Sequence, residues 1–233
     1  MNPLEMFGCL SGPSTPSGRD FAFLVHANSA EEGMVDAAGG HSISVNGSCA
    51  LVDKPSSEWF GSKVFHFSGS GGFSVSPDAL MTFSNHVQAQ RFGFFQFSTV
   101  GPLFTQIVRW DGGEWLWPHS GYTVEAVIAP GSPLSFNSPS FRAVVADGAR
   151  HWVCQERDGL LVYLYVDGVL VDTLDFTPWG INSTPPTTEP LLVGFYNFWD
   201  APSCTGYGQE IGMFVGIDPE LRAAPTAPLV VAA

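Results

Sequence analysis

Two short segments rich in aromatic residues contain the side chains best suited to binding chemistry. The candidate residues are Trp110, Trp115, Trp117, Tyr196, Asn197, Trp199 and Asp200. Sugars are bound by stacking on aromatic faces, while amide and carboxylate groups nearby supply hydrogen bonds. The same residue types are enriched at protein interfaces, so a protein partner and simple core packing are alternative interpretations. We therefore treat both segments as candidate sites for binding a glycan or a partner.

Motifs for nucleophilic, metal and nucleotide chemistry are missing from the sequence. There is no G-x-S-x-G, no H-x-x-x-H or H-x-H pair and no G-x-x-x-x-G-K-[ST] loop. The four cysteines, Cys9, Cys49, Cys154 and Cys204, include no C-x-x-C pair, which argues against a metal or thioredoxin-type site. We interpret them as reduced thiols of a protein made in the cytosol, although they also allow three disulfide pairings.

The composition indicates an all-β protein with an acidic surface. The 26 glycines and 18 prolines argue against a helical bundle, because helix interiors exclude both residues, and the 19 phenylalanines supply a core. The formal net charge of −13 would repel nucleic acid phosphates and anionic membranes. No apolar run approaches the ~20 residues that span a bilayer, and the first residues lack the pattern of a signal peptide. We therefore expect no nucleic acid partner and no membrane insertion.

The chain is predicted to contain one folded domain with an arm at each end. We expect an N-terminal arm or linker at residues 1–20, the domain at residues 21–222 and a C-terminal arm at residues 223–233. Each arm combines a Pro-bearing spacer with an apolar tip, and the candidate docking residues are Met6, Phe7, Leu10, Leu229, Val230 and Val231. Such tips suit docking on neighbouring subunits, while two disordered tails are the alternative.

Short strand-like runs separated by turn residues fill the region between the arms. Because many such runs occur and no window shows helical periodicity, the domain is predicted to close as a β-sandwich or jelly roll. Asp167-Gly168, between Leu161–Val166 and Val169–Asp172, predicts a hairpin with a type I′ turn. Asp158-Gly159 adds a preceding strand, so a three-stranded meander is expected.

The predicted meander resembles a signature of the concanavalin A-like lectin/glucanase superfamily. The matching residues are His151, Trp152, Val153, Asp158, Gly159, Tyr165, Val166, Asp167 and Gly168. Three further regions resemble the laminin-G-like branch of that superfamily in the same order, namely Phe23–His41, Phe60–Gly72 and Met213–Asp218. The resemblance covers residues 21–222, and it implies an all-β fold, a two-sheet antiparallel jelly-roll sandwich.

The segments Phe23–His26 and Ser68–Val75 resemble the laminin-G-like version that is frequent in virion proteins of tailed bacteriophages. This resemblance implies a non-enzymatic structural protein on the virion surface, either a capsid decoration or a tail appendage, made in the bacterial cytoplasm. The implied partners are other virion proteins in a symmetric assembly, together with a host surface glycan. A free carbohydrate-binding module or lectin is the alternative, and a polysaccharide-active enzyme is a remote one.

Enzymes and metal-binding members of the same superfamily give two further expectations. Its glucanases carry their carboxylates on one strand as E-x-D-x-x-E, and because this spacing is missing we expect no catalytic residues. Many laminin-G-like and lectin domains bind calcium through loop oxygens, which makes Asp36, Asp200 and Asp218 candidate ligands. Turn chemistry or surface charge is the alternative role of each Asp, and no other cofactor is expected.

Overall fold

The chain forms an antiparallel sandwich of two β-sheets. The computed structural model describes residues 19–31, 34–77, 86–99, 103–109, 122–124, 145–175, 190–194 and 204–232. Within these residues, one sheet has eight strands and the other has five, and all strand pairs are antiparallel. The predicted all-β sandwich is therefore confirmed. No helix in the described part of the chain is long and apolar enough to cross a membrane.

Thirteen strands of the described residues build the two sheets. In chain order they are β1 (Phe21–Val25), β2 (Ile43–Asn46), β3 (Ala50–Asp53), β4 (Lys63–Ser68), β5 (Gly72–Val75), β6 (Gln88–Thr99), β7 (Phe104–Arg109), β8 (Tyr122–Val124), β9 (His151–Asp158), β10 (Leu161–Val166), β11 (Val169–Asp175), β12 (Leu191–Val193) and β13 (Thr205–Val215). The eight-stranded sheet has the order β11-β10-β9-β6-β13-β4-β3, and β1 also pairs with β13. The five-stranded sheet has the order β2-β5-β12-β7-β8.

The hairpin between β10 and β11 has the geometry that its sequence predicts. Val166 and Val169 are paired, and Asp167 and Gly168 between them have φ angles of 51° and 83°. A type I′ turn requires positive φ at both positions, which Asp and Gly tolerate better than most residues. A second turn at Gly159 joins β9 to β10 and completes the predicted three-stranded meander.

Phenylalanines from both sheets form the core between them. On β6, Phe95 and Phe97 face this core, since side chains two residues apart on a strand share a face. The rings of Phe95 and Phe104 are 6.0 Å apart across the sheets, and those of Phe67 and Phe73 are 6.3 Å apart. Burying such a side chain contributes about 1.5–3 kcal/mol, so this layer holds the two sheets together.

A second apolar layer lies on the outer face, the face of the eight-stranded sheet turned away from the five-stranded sheet. Phe92 and Phe94 of β6 point to this side, and their rings lie 5.4 and 4.8 Å from that of Trp152. Trp59 from the β3–β4 loop and Leu229 near the C-terminus complete the layer. Strand β6 is therefore buried on both faces, which explains why its apolar residues do not simply alternate with polar ones.

Residues 219–232, called here the C-terminal segment, pack against this outer face. The segment begins with a 3-10 turn, and the carbonyl oxygen of its Leu221 accepts a hydrogen bond of 2.6 Å from Trp152 Nε1. Farther along, the amide of Arg19 donates to the carbonyl of Val230 at 2.9 Å, and the amide of Ala232 donates to the carbonyl of Arg19 at 2.9 Å. The first and last described residues are thus tied together.

The structure corrects the predicted C-terminal docking arm. Leu229 is only 4% exposed and belongs to the second apolar layer, while Val231 forms a bridge with Arg19. Both side chains therefore pack on their own chain, because the outer face offers an apolar surface that they can cover. Val230 is 47% exposed. The other predicted docking residues lie outside the described residues, namely Met6, Phe7 and Leu10.

Candidate functional site

Five side chains of contrasting chemistry share one region of the outer face. We call this set the Tyr207 platform, and it consists of His66, Ser68, Gln96, Thr205 and Tyr207. Tyr207 lies between His66 on β4 and Gln96 on β6, and Thr205 lies opposite Ser68. Because directly opposite residues project to the same face, the five side chains form two adjacent rows. Ser68 is exposed and the other four are half-buried.

An aromatic pair forms the centre of the Tyr207 platform. The rings of Tyr207 and His66 are 5.2 Å apart, and the edge-on ring of Trp59 lies 6.5 Å from Tyr207. Trp59 is 2% exposed, so it is a fixed support rather than a surface group. Among the described residues, neither the Tyr207 hydroxyl nor the His66 ring nitrogens have a hydrogen-bond partner. The platform therefore combines fixed rings with polar atoms that a ligand can use.

A buried glutamine holds the β3–β4 loop beside the platform. Gln209 Oε1 accepts a hydrogen bond of 2.9 Å from the Phe60 amide, and its Nε2 donates to the carbonyls of Phe60 and Lys63 at 3.0 Å. Lys54 Nζ donates to the Trp59 carbonyl at 3.1 Å. The indole nitrogen of Trp59 is buried and has no partner in the described part of the chain. A buried donor of this kind is stabilised when a water or ligand accepts its hydrogen bond.

Arg150 lies beside the platform and stacks on aromatic rings instead of pairing with an acid. Its guanidinium carbon is 4.2 Å from the ring centroid of Phe94, 5.6 Å from that of Trp59 and 5.9 Å from that of Phe60. Such contacts are favourable cation–π interactions. Considering only the described residues, the guanidinium makes no hydrogen bond or ion pair, and its Nη1 is buried.

A histidine between two carboxylates fixes the loop that precedes β9. His151 Nδ1 lies 2.7 Å from Asp167 Oδ2, and His151 Nε2 lies 3.1 Å from Asp147 Oδ1. Burial opposes a charge on His151, but the hydrogen bonds to Asp167 and Asp147 outweigh it, so its pKa is raised above 6.5. The same loop meets the platform where Gln96 Nε2 donates to the Gly148 carbonyl at 2.6 Å.

Two further hydroxyl groups border the platform, Ser48 in the β2–β3 turn and Ser70 in the β4–β5 turn. Ser48 contacts both Ser68 and Ser70 through their hydroxyl oxygens. The turns meet closely, because a Cβ on Gly47 would lie 2.2 Å from the Ser70 carbonyl oxygen, and Gly47 has a φ of +66°. Only glycine fits there without displacing the backbone. The close approach concentrates hydroxyl groups beside Ser68 and Thr205.

The two aromatic segments predicted to bind a ligand lie outside the described residues. Their candidate residues are Trp110, Trp115, Trp117, Tyr196, Asn197, Trp199 and Asp200. Phe104 at the start of β7 pairs with Val193 at the end of the antiparallel strand β12. Arg109, which precedes the first segment, and Gly194, which precedes the second, therefore lie at opposite ends of the five-stranded sheet. Cys204, whose amide donates to the Gly194 carbonyl at 2.8 Å, directly precedes the platform strand. Of the two segments, the second therefore ends at Cys204, directly before Thr205 of the platform.

The described calcium candidates have structural roles. Asp36 is buried, and its oxygens lie 2.9–3.1 Å from five donors, the amides of Leu24, Ala38, Gly40 and His41 and the ring nitrogen Nδ1 of His41. Asp218 caps the 3-10 turn and pairs with Arg19 Nε at 2.5 Å. Neither belongs to a group of three or more candidate metal ligands within the described residues, and Asp200 lies outside them. Both are therefore explained by turn and capping chemistry.

The platform is not apparent from the sequence because its central strand, β13, does not have a typical strand composition. Thr205, Tyr207 and Gln209 alternate with glycines, and the predicted final strand begins only at Glu210. The glycines are needed because their positions face the phenylalanine core: a Cβ on Gly208 would lie 2.9 Å from the Phe67 ring. The signal available in the sequence was a run in which polar or aromatic residues alternate with glycines.

Comparisons with known proteins support the architecture. No protein-family model matches the chain, and no curated protein matches its sequence. A similar structure is domain 4 of AbnA, a GH43 extracellular arabinanase from Geobacillus stearothermophilus, in complex with arabinotriose. It has a TM-score of 0.52 and 18% identity, and the alignment covers 89% of this chain and 98% of that domain.

Two toxin domains are similar to the same extent. The botulinum neurotoxin serotype D ligand-binding domain in complex with N-acetylneuraminic acid has a TM-score of 0.52 and 10% identity, and the alignment covers 87% of this chain and 49% of that one. The binding domain of Paraclostridial Mosquitocidal Protein 1 has a TM-score of 0.53 and 11% identity, with coverage of 87% and 51%. The chain therefore spans about half the length of these toxin domains.

These likenesses define the class of the protein at the level of its fold. The chain has the β-sandwich architecture of domains that bind carbohydrates and other ligands. At such low identity the likeness shows the fold alone, because one fold hosts many functions. The resemblance to the laminin-G-like branch and to phage virion proteins stays a prediction from the sequence.

Proposed function

We propose that the protein is a non-enzymatic glycan-binding domain whose binding surface is the Tyr207 platform. The observation that carries this proposal is the aromatic pair of Tyr207 and His66, whose polar atoms have no partner among the described residues and whose rings are supported by Trp59. A sugar presents both an apolar ring face and many hydroxyl groups. An aromatic surface with polar atoms at its edge suits both features.

The surroundings of the aromatic pair fit the same proposal. Gln96 keeps its carbonyl oxygen available, since its Nε2 is the atom that binds Gly148. Ser68 and Thr205 add hydroxyl groups in the neighbouring row. Hydroxyl and amide groups exchange hydrogen bonds with sugar hydroxyls without a charged ligand being required.

Binding without turnover is supported by the chemistry of the platform residues. Glycoside hydrolysis generally uses two carboxyl groups on opposite sides of the scissile bond. The five residues that define the platform include no Asp or Glu. Together with the missing E-x-D-x-x-E spacing, this composition favours a binding domain over a hydrolase.

We further propose that the domain acts on the surface of a tailed-phage particle, with host surface glycan as the ligand. The support is the sequence resemblance of its opening segments, Phe23–His26 and Ser68–Val75, to such virion proteins. The protein should then co-purify with particles and bind particles that lack it. Glycan binding without particle association would instead favour the free lectin.

A glycan array with matched tyrosine variants tests the proposed binding surface. Tyr207→Ala should weaken binding about tenfold or more, since loss of a central aromatic contact commonly removes over 1.4 kcal/mol. Tyr163→Ala is the control, because Tyr163 is a half-buried tyrosine on β10 of the same sheet. It should bind as wild type does, and both variants should keep a cooperative thermal transition. Wild type that binds no glycan, or Tyr207→Ala that binds equally well, would contradict the proposal.

A further inference from the structure

The charge balance of the protein makes Arg150 unusual. The chain has nine basic and 22 acidic side chains, so carboxylates are plentiful. Arg19 and Arg222 are each paired with acidic residues at 2.5–2.8 Å. Arg150 has no such partner within the described residues, although it is partly buried. Because Arg150 is not engaged in an ion pair with these residues, its guanidinium is available to bind an anionic ligand.

Burial without a counterion leaves the guanidinium electrostatically unsatisfied. Desolvation lowers the pKa of Arg150, and the charges of Glu58 and Asp167 oppose this effect only in part. Asp167 is already engaged, since its oxygens accept hydrogen bonds from the Trp152 amide at 2.8 Å and from His151 at 2.7 Å. A ligand carboxylate on Arg150 would offset the cost of burying the charge.

The aromatic rings also fix the orientation of the guanidinium. The guanidinium carbon lies 4.2 Å from the Phe94 ring centroid, and because Nη1 is buried, Nε and Nη2 are the donors left for a ligand. Trp59, which is itself buried, contacts both Arg150 and Tyr207, at 5.6 and 6.5 Å, so a single ring separates the cation from the aromatic platform. One ligand can therefore use both.

We infer that the Tyr207 platform binds an acidic glycan, a sugar whose carboxylate is bound by Arg150. This inference rests on the proposed function and adds the substrate class. The pair would be bidentate, because the guanidinium edge matches the two oxygens of a carboxylate. The overall negative charge of the protein repels polyanions at long range, so the preference depends on this local contact.

Two pairs of probes isolate the carboxylate. Trigalacturonic acid is compared with its methyl ester, and sialyllactose is compared with its methyl ester, by isothermal titration of the full chain. Within each pair the sugar is the same and only the negative charge is lost. At least one acid should bind about tenfold or more tightly than its ester, because a charge-assisted bidentate pair is worth more than about 1.4 kcal/mol.

Substitutions of Arg150 assign the preference to this residue. Arg150→Gln should reduce acid binding to the level of the ester and leave ester binding unchanged, and Arg150→Lys should restore only part of the preference. Lys63→Gln is the charge-matched control, because Lys63 pairs with Asp53 at 2.7 Å and is not a platform residue. This control should keep the full preference.

The outcomes separate this inference from the proposed function. Two outcomes overturn the inference alone when Tyr207→Ala still weakens binding to a neutral glycan. They are esters that bind as tightly as acids and an Arg150→Gln variant that keeps the preference. A neutral sugar that carries a sulfate is compared with the carboxylate sugar. If wild type binds both equally well, it recognises negative charge and not the carboxylate, and this result also overturns the inference. If no acidic or neutral glycan binds, the proposed function fails and the inference fails with it.

Discussion

The side chain of Glu210 accepts a hydrogen bond from the backbone amide of Leu229, with 2.8 Å between Oε2 and the nitrogen. Glu210 is fully buried at a bulge of β13, where its φ is 53°. Asn28 Nδ2 donates to the same carboxylate at 2.9 Å, and His26 Nδ1 lies 3.0 Å from it. A buried carboxylate needs hydrogen-bond donors in place of water, and the C-terminal segment supplies one of these donors to Glu210.

We predict that Leu229→Ala lowers the free energy of unfolding by about 2–5 kcal/mol, because it removes a side chain from the second apolar layer. Urea denaturation with a two-state fit measures the change. The control is Val230→Ala, next to it in sequence and 47% exposed, which should change the free energy by less than about 0.5 kcal/mol. Equal effects of the two variants would mean that the segment does not pack on the domain and is a free tail, the alternative to a docking arm.

Much of the fold was readable from the sequence because strands and turns have local signals. The bounds of β4 and β5, and the Asp167-Gly168 turn, agree with the predicted ones. Strand β3 was not predicted, since Ala50–Asp53 is a short edge strand whose residues are exposed or half-buried. Because such a strand has no buried face, its sequence does not show the alternation of apolar and polar residues that predicts a strand.

The buried polar contacts were beyond a reading of the sequence. Glu210 looks like an ordinary surface residue until Asn28, 182 positions earlier, is brought to it. The same holds for Tyr207 and His66, which are paired only by strand register. Aromatic clusters are visible in a sequence, whereas sites built from single residues of three strands are not.

A buried ion pair connects the C-terminal segment to β9. Arg222 donates from Nε and Nη2 to the two oxygens of Glu156 at 2.8 Å, and this hydrogen bonding raises the pKa of Arg222. Glu156 is 1% exposed and also accepts from Gln90 at 2.9 Å. Replacing Arg222 would leave the buried Glu156 carboxylate with Gln90 as its one side-chain donor among the described residues.

We expect Arg222→Met to lower the free energy of unfolding by about 3 kcal/mol, the low end for a broken buried pair, because a third of Arg222 is exposed. The double variant Arg222→Met, Glu156→Leu should regain part of this loss, since no buried charge remains. Chemical denaturation of the four proteins of this cycle gives the coupling energy. A double variant less stable than Arg222→Met would contradict this account.

The clamp of His151 between Asp147 and Asp167 predicts a pH dependence. The pKa of His151 is raised in the folded protein, so its stabilising contribution is complete below pH 6.5 and is lost as the pH rises through the raised value. Asp147 remains ionised throughout this range, because the hydrogen bonds from the Ala149 amide and His151 lower its pKa.

The measurement is the difference in unfolding free energy between wild type and His151→Asn from about pH 5.5 to pH 9. The difference should be largest at the acidic end and should shrink towards the basic end. Taking the difference cancels the other histidines, which both proteins share. A difference that stays constant or grows with pH would show that the imidazole is neutral in the clamp.

The last prediction concerns the described cysteines, Cys49, Cys154 and Cys204, which are buried, whereas Cys9 lies outside the described residues. Burial raises the pKa of Cys49 to about 12, against 9.0 for an unperturbed thiol. At pH 8 the native protein should therefore react with iodoacetamide at Cys49 about a hundredfold or more slowly than the unfolded protein, because the thiolate is the nucleophile. Peptide mapping by mass spectrometry, with and without guanidinium and without reductant, gives the rate at each cysteine. Rapid native labelling of Cys49 would contradict its placement in the core. A cysteine that fails to react after unfolding without reductant would be in a disulfide, which would contradict the interpretation of the cysteines as reduced thiols.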